Sequence, residues 1–164
     1  MNKLQGLGYY GLAGAIFALD WITKRAIEAH MSAFDTYAVI PGFFDIIHAR
    51  NRGAAFSIFA ESTSPWRPFF LIGLSLAALV LVAAILRNAS RLDRPTALGL
   101  SLILGGALGN VFDRIVSGAV TDFLDFYIGA YHWPAFNVAD SAIVAGSCLL
   151  LLGLLRPKQQ TAGA

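Results

Sequence analysis

Residues Pro68 to Leu86 read PFFLIGLSLAALVLVAAIL, a run of 19 residues without a charge. A helix rises about 1.5 Å per residue, so a run of this length crosses a hydrocarbon core about 30 Å thick. The segment therefore predicts a transmembrane helix, and it sets the fold class for the rest of the chain.

Three further apolar segments flank this one, at residues 7–27, 96–116 and 135–155. Together with residues 68–86 they predict an all-α membrane bundle of four transmembrane helices. We expect these spans to belong to a single integral membrane domain that covers residues 1–164.

The polar stretch between the first two spans, residues 28–66, contains turn signals such as Pro41-Gly42. Val39-Ile40 and Phe43 to Ile47 flank the Pro-Gly pair as short apolar pieces. The pattern predicts a small β element on the membrane surface, although two such pieces around a turn also fit an irregular loop.

The composition favours a membrane protein and excludes nucleic-acid binding. The chain is 57% hydrophobic and 13% charged, whereas soluble domains are about 45 to 50% apolar and about 25% charged. Its net charge is +2, and the basic residues form no stripe that a nucleic acid would need.

The single cysteine, Cys148, excludes an intramolecular disulfide. His30, His48 and His132 have no ligand spacing, so we expect no metal site and no cofactor.

The distribution of basic residues predicts the orientation of the bundle. The two sides of a four-helix alternation carry equal numbers of Lys and Arg. However, Arg87, Arg91 and Arg94 crowd one short loop, whereas the cations of the other side are mixed with acids. The positive-inside rule then places both termini in the cytoplasm.

Four carboxylates fall on the opposite side of the predicted bundle. With alternating helix directions, Asp20, Asp113 and Asp140 lie near helix ends on that side, and Asp122 follows the third helix closely. An ionised residue at membrane depth costs about 2.5 to 3.5 kcal/mol, so such residues usually pair, face a cavity or do chemistry. This gathering of acids predicts a functional site.

Helical spacing adds polar partners to these acids. Lys24 lies four residues after Asp20 and can pair with it, although such a pair also fits an interfacial ion pair whose lysine snorkels toward water. Asn110 shares a helix face with Asp113 and Arg114, and Asn137 shares one with Asp140. These amides fit either a site or hydrogen bonding that only holds helices together.

Five motifs occur in order along the chain. They are Asp20-x-x-x-Lys24, Asn51-Arg52-Gly53-Ala54-Ala55-Phe56, the segment from Gly105-Gly106 through Gly109-Asn110 to Asp113-Arg114, Val120-Thr121-Asp122-Phe123, and Phe136-Asn137-Val138-Ala139-Asp140. With these motifs the sequence resembles the bacterial lipoprotein signal peptidases, or signal peptidase II. The resemblance spans nearly the whole chain.

The resemblance implies an aspartyl endopeptidase with Asp122 and Asp140 as its catalytic pair. Such an enzyme removes the signal peptide of diacylglyceryl-modified prolipoproteins by cleaving on the N-terminal side of the lipidated cysteine. The implied residues that bind substrate or support the site are Asn51, Asn110, Asp113, Arg114, Asn137, Asp20 and Lys24.

The resemblance also implies a bacterial inner-membrane protein whose site faces the periplasm, with prolipoprotein and membrane lipid as partners. We expect a monomer. Two other classes of function remain open. A proton-coupled transporter would need a polar path across the bilayer, but the acids lie toward one side only. A non-enzymatic assembly protein would use the polar cluster for helix packing alone.

Overall fold

A computed structural model of the chain describes residues 3–33, 35–53, 64 and 66–155. The described part is mostly helical with one small antiparallel sheet. Its elements are, in chain order, α1 (Lys3–His30), β1 (Thr36–Ile40), β2 (Phe44–Asn51), α2 (Arg67–Leu86), a short 3-10 turn (Ala89–Arg91), α3 (Arg94–Ser117), β3 (Val120–Ile128), β4 (Tyr131–His132) and α4 (Val138–Leu155).

Helix α3 is the central helix of the described bundle, because α1, α2 and α4 all pack against it. Glycines allow this close approach: a Cβ at Gly105 would meet Ala13 of α1, and one at Gly106 would meet Ala139 of α4. Small residues at such contacts let helix backbones come together where a bilayer gives no hydrophobic drive. Helix α3 ends at Gly118, whose φ of 68° suits a glycine at a helix C-terminus.

Helices α2 and α3 differ in how much of their surface is buried. Within the described residues, α2 and α3 are each long and apolar enough to cross a membrane. Most of the α2 surface is exposed, as suits a helix that faces lipid, whereas α3 is largely buried among its neighbours. The polar residues Ser101, Asn110 and Asp113 of α3 are therefore buried inside the bundle.

The sheet has the strand order β1-β2-β3-β4, and all its neighbours are antiparallel. The predicted small β element is confirmed by β1 and β2. Strand β3 was not predicted from the sequence. It places the Val120-Thr121-Asp122-Phe123 motif on a strand. Asn51 at the end of β2 lies opposite Val120 at the start of β3, so two of the motifs meet here.

Candidate active site

Asp122 lies near the start of β3, where the sheet meets the helices. Its buried carboxylate accepts two hydrogen bonds from side-chain amides: Asn51 Nδ2 donates to Oδ2 at 3.0 Å and Asn137 Nδ2 donates to Oδ1 at 2.7 Å. Burial raises the pKa of Asp122 to about 7, and the negative charge of Asp140 adds to the rise. Asp122 can therefore hold a proton near neutral pH.

Asp140 lies in the first turn of α4, three residues after Asn137. The side-chain oxygen of Asn137 accepts from the backbone N–H of Asp140 at 2.9 Å, and Asp140 Oδ2 accepts from the backbone N–H of Asn137 at 3.3 Å. This reciprocal arrangement is a capping box, which satisfies two backbone donors that a helix start leaves free. The cap explains why α4 begins at Val138, and it holds the Asp140 carboxylate at the end of the bundle.

Two asparagines connect the acids. Asn110 Nδ2 donates to Asp140 Oδ1 at 2.7 Å, while the amide nitrogen of Asn137, bonded to Asp122, also lies 3.3 Å from Asn110 Oδ1. A chain of neutral amides thus runs from one carboxylate to the other. It supplies hydrogen-bond donors to both acids without adding a positive charge beside them.

Lys24 lies behind this amide chain and is fully buried. Its Nζ is 2.7 Å from Asp20 Oδ2, 2.7 Å from Asp113 Oδ2 and 3.0 Å from Asn110 Oδ1. The lysine therefore does not snorkel toward water. By occupying the oxygen of Asn110, it turns the amide nitrogen of that side chain toward Asp140.

Asp20 joins α1 to the start of α4. Its Oδ1 accepts from the backbone N–H of Ala139 at 2.8 Å, another donor that the first turn of α4 leaves free. Gly109 of α3 leaves room for this carboxylate, since a Cβ at that position would collide with Asp20 Oδ2. Asp20 thereby fixes the helix that carries Asp140.

Arg114 connects α3 to the residues that follow β2. Its Nη1 donates to the carbonyl oxygen of Asn110 at 3.1 Å, and its Nη2 donates to that of Gly53 at 2.9 Å. The backbone N–H of Gly53 donates in turn to the side-chain oxygen of Asn51 at 2.9 Å. Residues 54–56 of the loop motif lie outside the described residues.

A pocket of about 470 Å³ opens beside both acids, and we call it the active-site pocket. Its polar residues are Asn51, Asn110, Arg114, Asp122, Asp140 and Ser141. The remaining wall is mainly apolar and is formed by Val120, Trp133, Pro134, Ala135, Phe136, Ile143, Val144 and Ala145. Trp133 lies in none of the five motifs and was not among the site residues expected from the sequence. Its closeness in sequence to the Phe136 motif was the signal that could have placed it here.

Every residue that the sequence analysis proposed for the site belongs to this connected network. Asp125, three residues after Asp122, does not line the pocket; its Oδ2 lies 2.8 Å from His132 Nδ1 instead. Over the described ranges, no group of three or more His, Cys, Asp or Glu side chains could hold a metal ion. Two carboxyl groups beside an apolar pocket can share a proton, so that one serves as base and the other as acid.

Comparisons with known proteins show which family the chain is similar to. A family model described as signal peptidase (SPase) II matches residues 12–156. A lipoprotein signal peptidase of Solibacter usitatus is 63% identical over 153 residues, which cover 93% of this chain and 93% of that protein. One of Maridesulfovibrio salexigens is 41% identical over 96% of this chain and 100% of its own. A solved structure described as a bacterial membrane enzyme has a TM-score of 0.83 at 29% identity, covering 96% of this chain and 93% of that chain.

The fold, the paired acids and these relatives define the class of protein: the chain is a membrane peptidase. Within that class, the family model covers most of the chain and the identity to relatives is high over nearly their whole length. The chain belongs to the signal peptidase II family.

Proposed function

We propose that this protein is an aspartic endopeptidase that removes the signal peptide from diacylglyceryl-modified prolipoproteins. It cleaves the peptide bond on the N-terminal side of the lipidated cysteine. The observation that carries the proposal is the amide-linked pair of Asp122 and Asp140 at the polar end of an apolar pocket. The names of the relatives support the lipoprotein substrate.

In the proposed mechanism, the two carboxyl groups share one proton. Like charges at close range resist double ionisation, and burial adds to that resistance at Asp122. The ionised carboxylate takes a proton from the attacking water while its partner donates to the carbonyl oxygen. The proton is then returned to the departing amine. The titration belongs to the pair, so acid and base are not assigned to single residues.

Asn51 and Arg114 both line the pocket, and we propose that they bind the substrate backbone. An extended peptide at membrane depth needs partners for its N–H and C=O groups. Asn110 and Asn137 are engaged with the acids and are proposed to orient them. Lys24, Asp20 and Asp113 support the site from behind by fixing Asn110 and the start of α4.

We further propose that residues 1–164 form one integral domain whose four helices cross the bacterial inner membrane. Both termini would be cytoplasmic and the active site would face the periplasm. The apolar wall of the pocket, with Trp133 and Val144, would let the acyl chains of the substrate stay in lipid. Each buried methylene contributes about 0.8 kcal/mol, so the bilayer helps to hold the substrate. We propose that the enzyme acts as a monomer.

The test uses purified protein in detergent with a diacylglyceryl-modified prolipoprotein and with its unlipidated form. We expect cleavage of the lipidated form only, immediately before the modified cysteine, as read by mass spectrometry. Asp140→Asn should abolish cleavage while preserving one side-chain oxygen, which can still accept from Asn110 Nδ2. Cleavage of both forms at equal rates would refute the lipid requirement. Full activity of Asp140→Asn would refute the aspartic mechanism.

A further inference from the structure

Thr121, the residue before Asp122, ties the sheet to helix α1. It is buried, and its hydroxyl donates to Glu28 Oε1 at 2.6 Å. The other oxygen of Glu28 pairs with Arg25 Nη1 at 2.7 Å, three residues earlier in the same helix. Glu28 thus uses one oxygen on its own helix and one on strand β3, 93 residues away in the chain.

The hydrogen bond between Thr121 and Glu28 holds the backbone next to Asp122. Side chains alternate along a strand, so Thr121 and Asp122 point to opposite faces of β3. Val120 and Asp122 both line the active-site pocket, whereas Thr121 points toward α1. The carbonyl oxygen of Thr121 also lies 3.4 Å from Asn137 Nδ2. The residue before Asp122 is therefore contacted both by α1, through its side chain, and by Asn137, through its backbone.

The pairing of β3 with β2 is irregular directly after Asp122. Ala49 of β2 lies opposite Asp122, but the next pair along the ladder is Ile46 with Leu124, so two residues of β2 face one residue of β3. Such a bulge leaves a residue of β2 without a partner on β3 and bends β2 locally. The hydrogen bond from Thr121 to Glu28 therefore holds β3 next to the point where the ladder is interrupted.

We propose that Thr121 and Glu28 are positioning residues of the active site, which fix β3 against α1 and so hold the Asp122 carboxylate in place relative to Asp140. The inference rests on the proposed peptidase function and adds two residues to it. A hydroxyl bonded to an ionised carboxylate is among the stronger hydrogen bonds in proteins. Misplacing a reacting group by about 1 Å can cost about 100-fold in rate.

The first test compares Thr121→Val with Thr121→Ser on the lipidated substrate. Valine keeps the shape and removes the donor, so we expect kcat to fall about tenfold with KM within about twofold. Serine keeps the hydroxyl and should restore most of kcat. A purely structural role of Thr121 would lower the melting temperature of both variants without this split between kcat and KM.

The second test asks whether the two residues act as one unit. Glu28→Ala removes the acceptor, and the double variant with Thr121→Val should lose no more kcat than the larger of the single losses. The matched control is Thr23→Val, because among the described residues the Thr23 hydroxyl bonds only within α1, to the carbonyl oxygens of Leu19 at 2.8 Å and Asp20 at 2.9 Å. That variant should keep wild-type kcat.

The outcomes separate this inference from the function on which it rests. If the wild type cleaves and Thr121→Val has the same kcat, the positioning role is refuted and the function stands. Equal losses in Thr121→Val and Thr121→Ser, or additive losses in the double variant, refute it as well. If the wild type itself does not cleave the lipidated substrate, the proposed function fails and the inference fails with it.

Discussion

Two pairs of aspartates each have one member on strand β3, yet the two pairs differ in their surroundings. Asp122 is paired with Asp140, and Asp125, three residues further along β3, lies directly opposite Asp45 of β2. All but Asp140 are buried, and that residue is partly buried. Closeness and burial of acids are therefore common to both pairs, and they alone do not identify a site.

The difference lies in the partners. Asp125 contacts His132, and Asp45 Oδ1 accepts from the hydroxyl of Tyr127 at 3.2 Å, so a histidine able to carry a positive charge accompanies this pair. The other pair receives neutral amides and lines a pocket. Burial and the neighbouring acid raise the pKa of Asp122 to about 7, and the charge of Lys24 opposes part of this rise. A pocket, and neutral amides in hydrogen-bond contact with both acids, thus distinguish the proposed catalytic pair.

The largest expected effect is a loss of kcat on substitution of Asp122 but not of Asp125, the other acid on β3. Asp122→Asn should lower kcat about 1,000-fold or more, because the pair loses a group that moves a proton. Asp125→Asn, three residues away, should retain kcat within about threefold, since Asp125 does not line the pocket. Initial rates of prolipoprotein cleavage measure both. Comparable losses in the two variants would remove the distinction between the pairs.

Removing the amide link should have the next largest effect. Asn137→Ala leaves Asp122 without one of its donors and breaks the capping box of α4. We expect kcat to fall about 100-fold and stability to fall by about 1 to 2 kcal/mol, the range for loss of a helix cap. Kinetics and thermal unfolding in detergent check the two parts. Asn88→Ala, on the exposed loop after α2, serves as the control and should change neither.

The pH dependence of the rate tests the raised pKa of Asp122. Because the pKa of Asp122 is raised to about 7, the shared proton is retained below that pH and lost above it. Activity should fall about tenfold per pH unit above pH 7. The stability that this raised pKa contributes is full below the ordinary value of an aspartate and is lost as the pH rises through about 7. Rate profiles and melting curves from pH 5 to 9 measure both, and a flat alkaline limb would contradict the prediction.

The smallest expected effect concerns the second pair. Tyr127→Phe removes the hydroxyl that donates to Asp45. We expect a loss of about 1 kcal/mol in stability, or about 2 to 4 °C in melting temperature, and no change in kcat beyond about twofold. Thermal unfolding measures the change in stability, and parallel kinetics measure kcat. A loss of kcat as large as that of Asn137→Ala would show that the second pair also serves the reaction.

The local parts of the site could be predicted from the sequence. Asp20 and Lys24 lie four apart on one helix, and Asn137 and Asp140 lie three apart at a helix start, so their contacts follow from helical spacing. The strand β3 could not be predicted, because its partners on β2 lie 69 to 82 residues earlier in the chain. That pairing depends on register, which turns and packing select rather than local preference.

The sequence by itself determined a helical membrane fold and the gathering of its acids at one end, because apolar length and helix direction are properties of contiguous segments. Its five motifs also indicated the family. Only the tertiary structure decided which acid contacts an amide and which a histidine, and that Thr121 reaches Glu28. These contacts join residues far apart in the chain, and their geometry is set by how the helices and the sheet pack together.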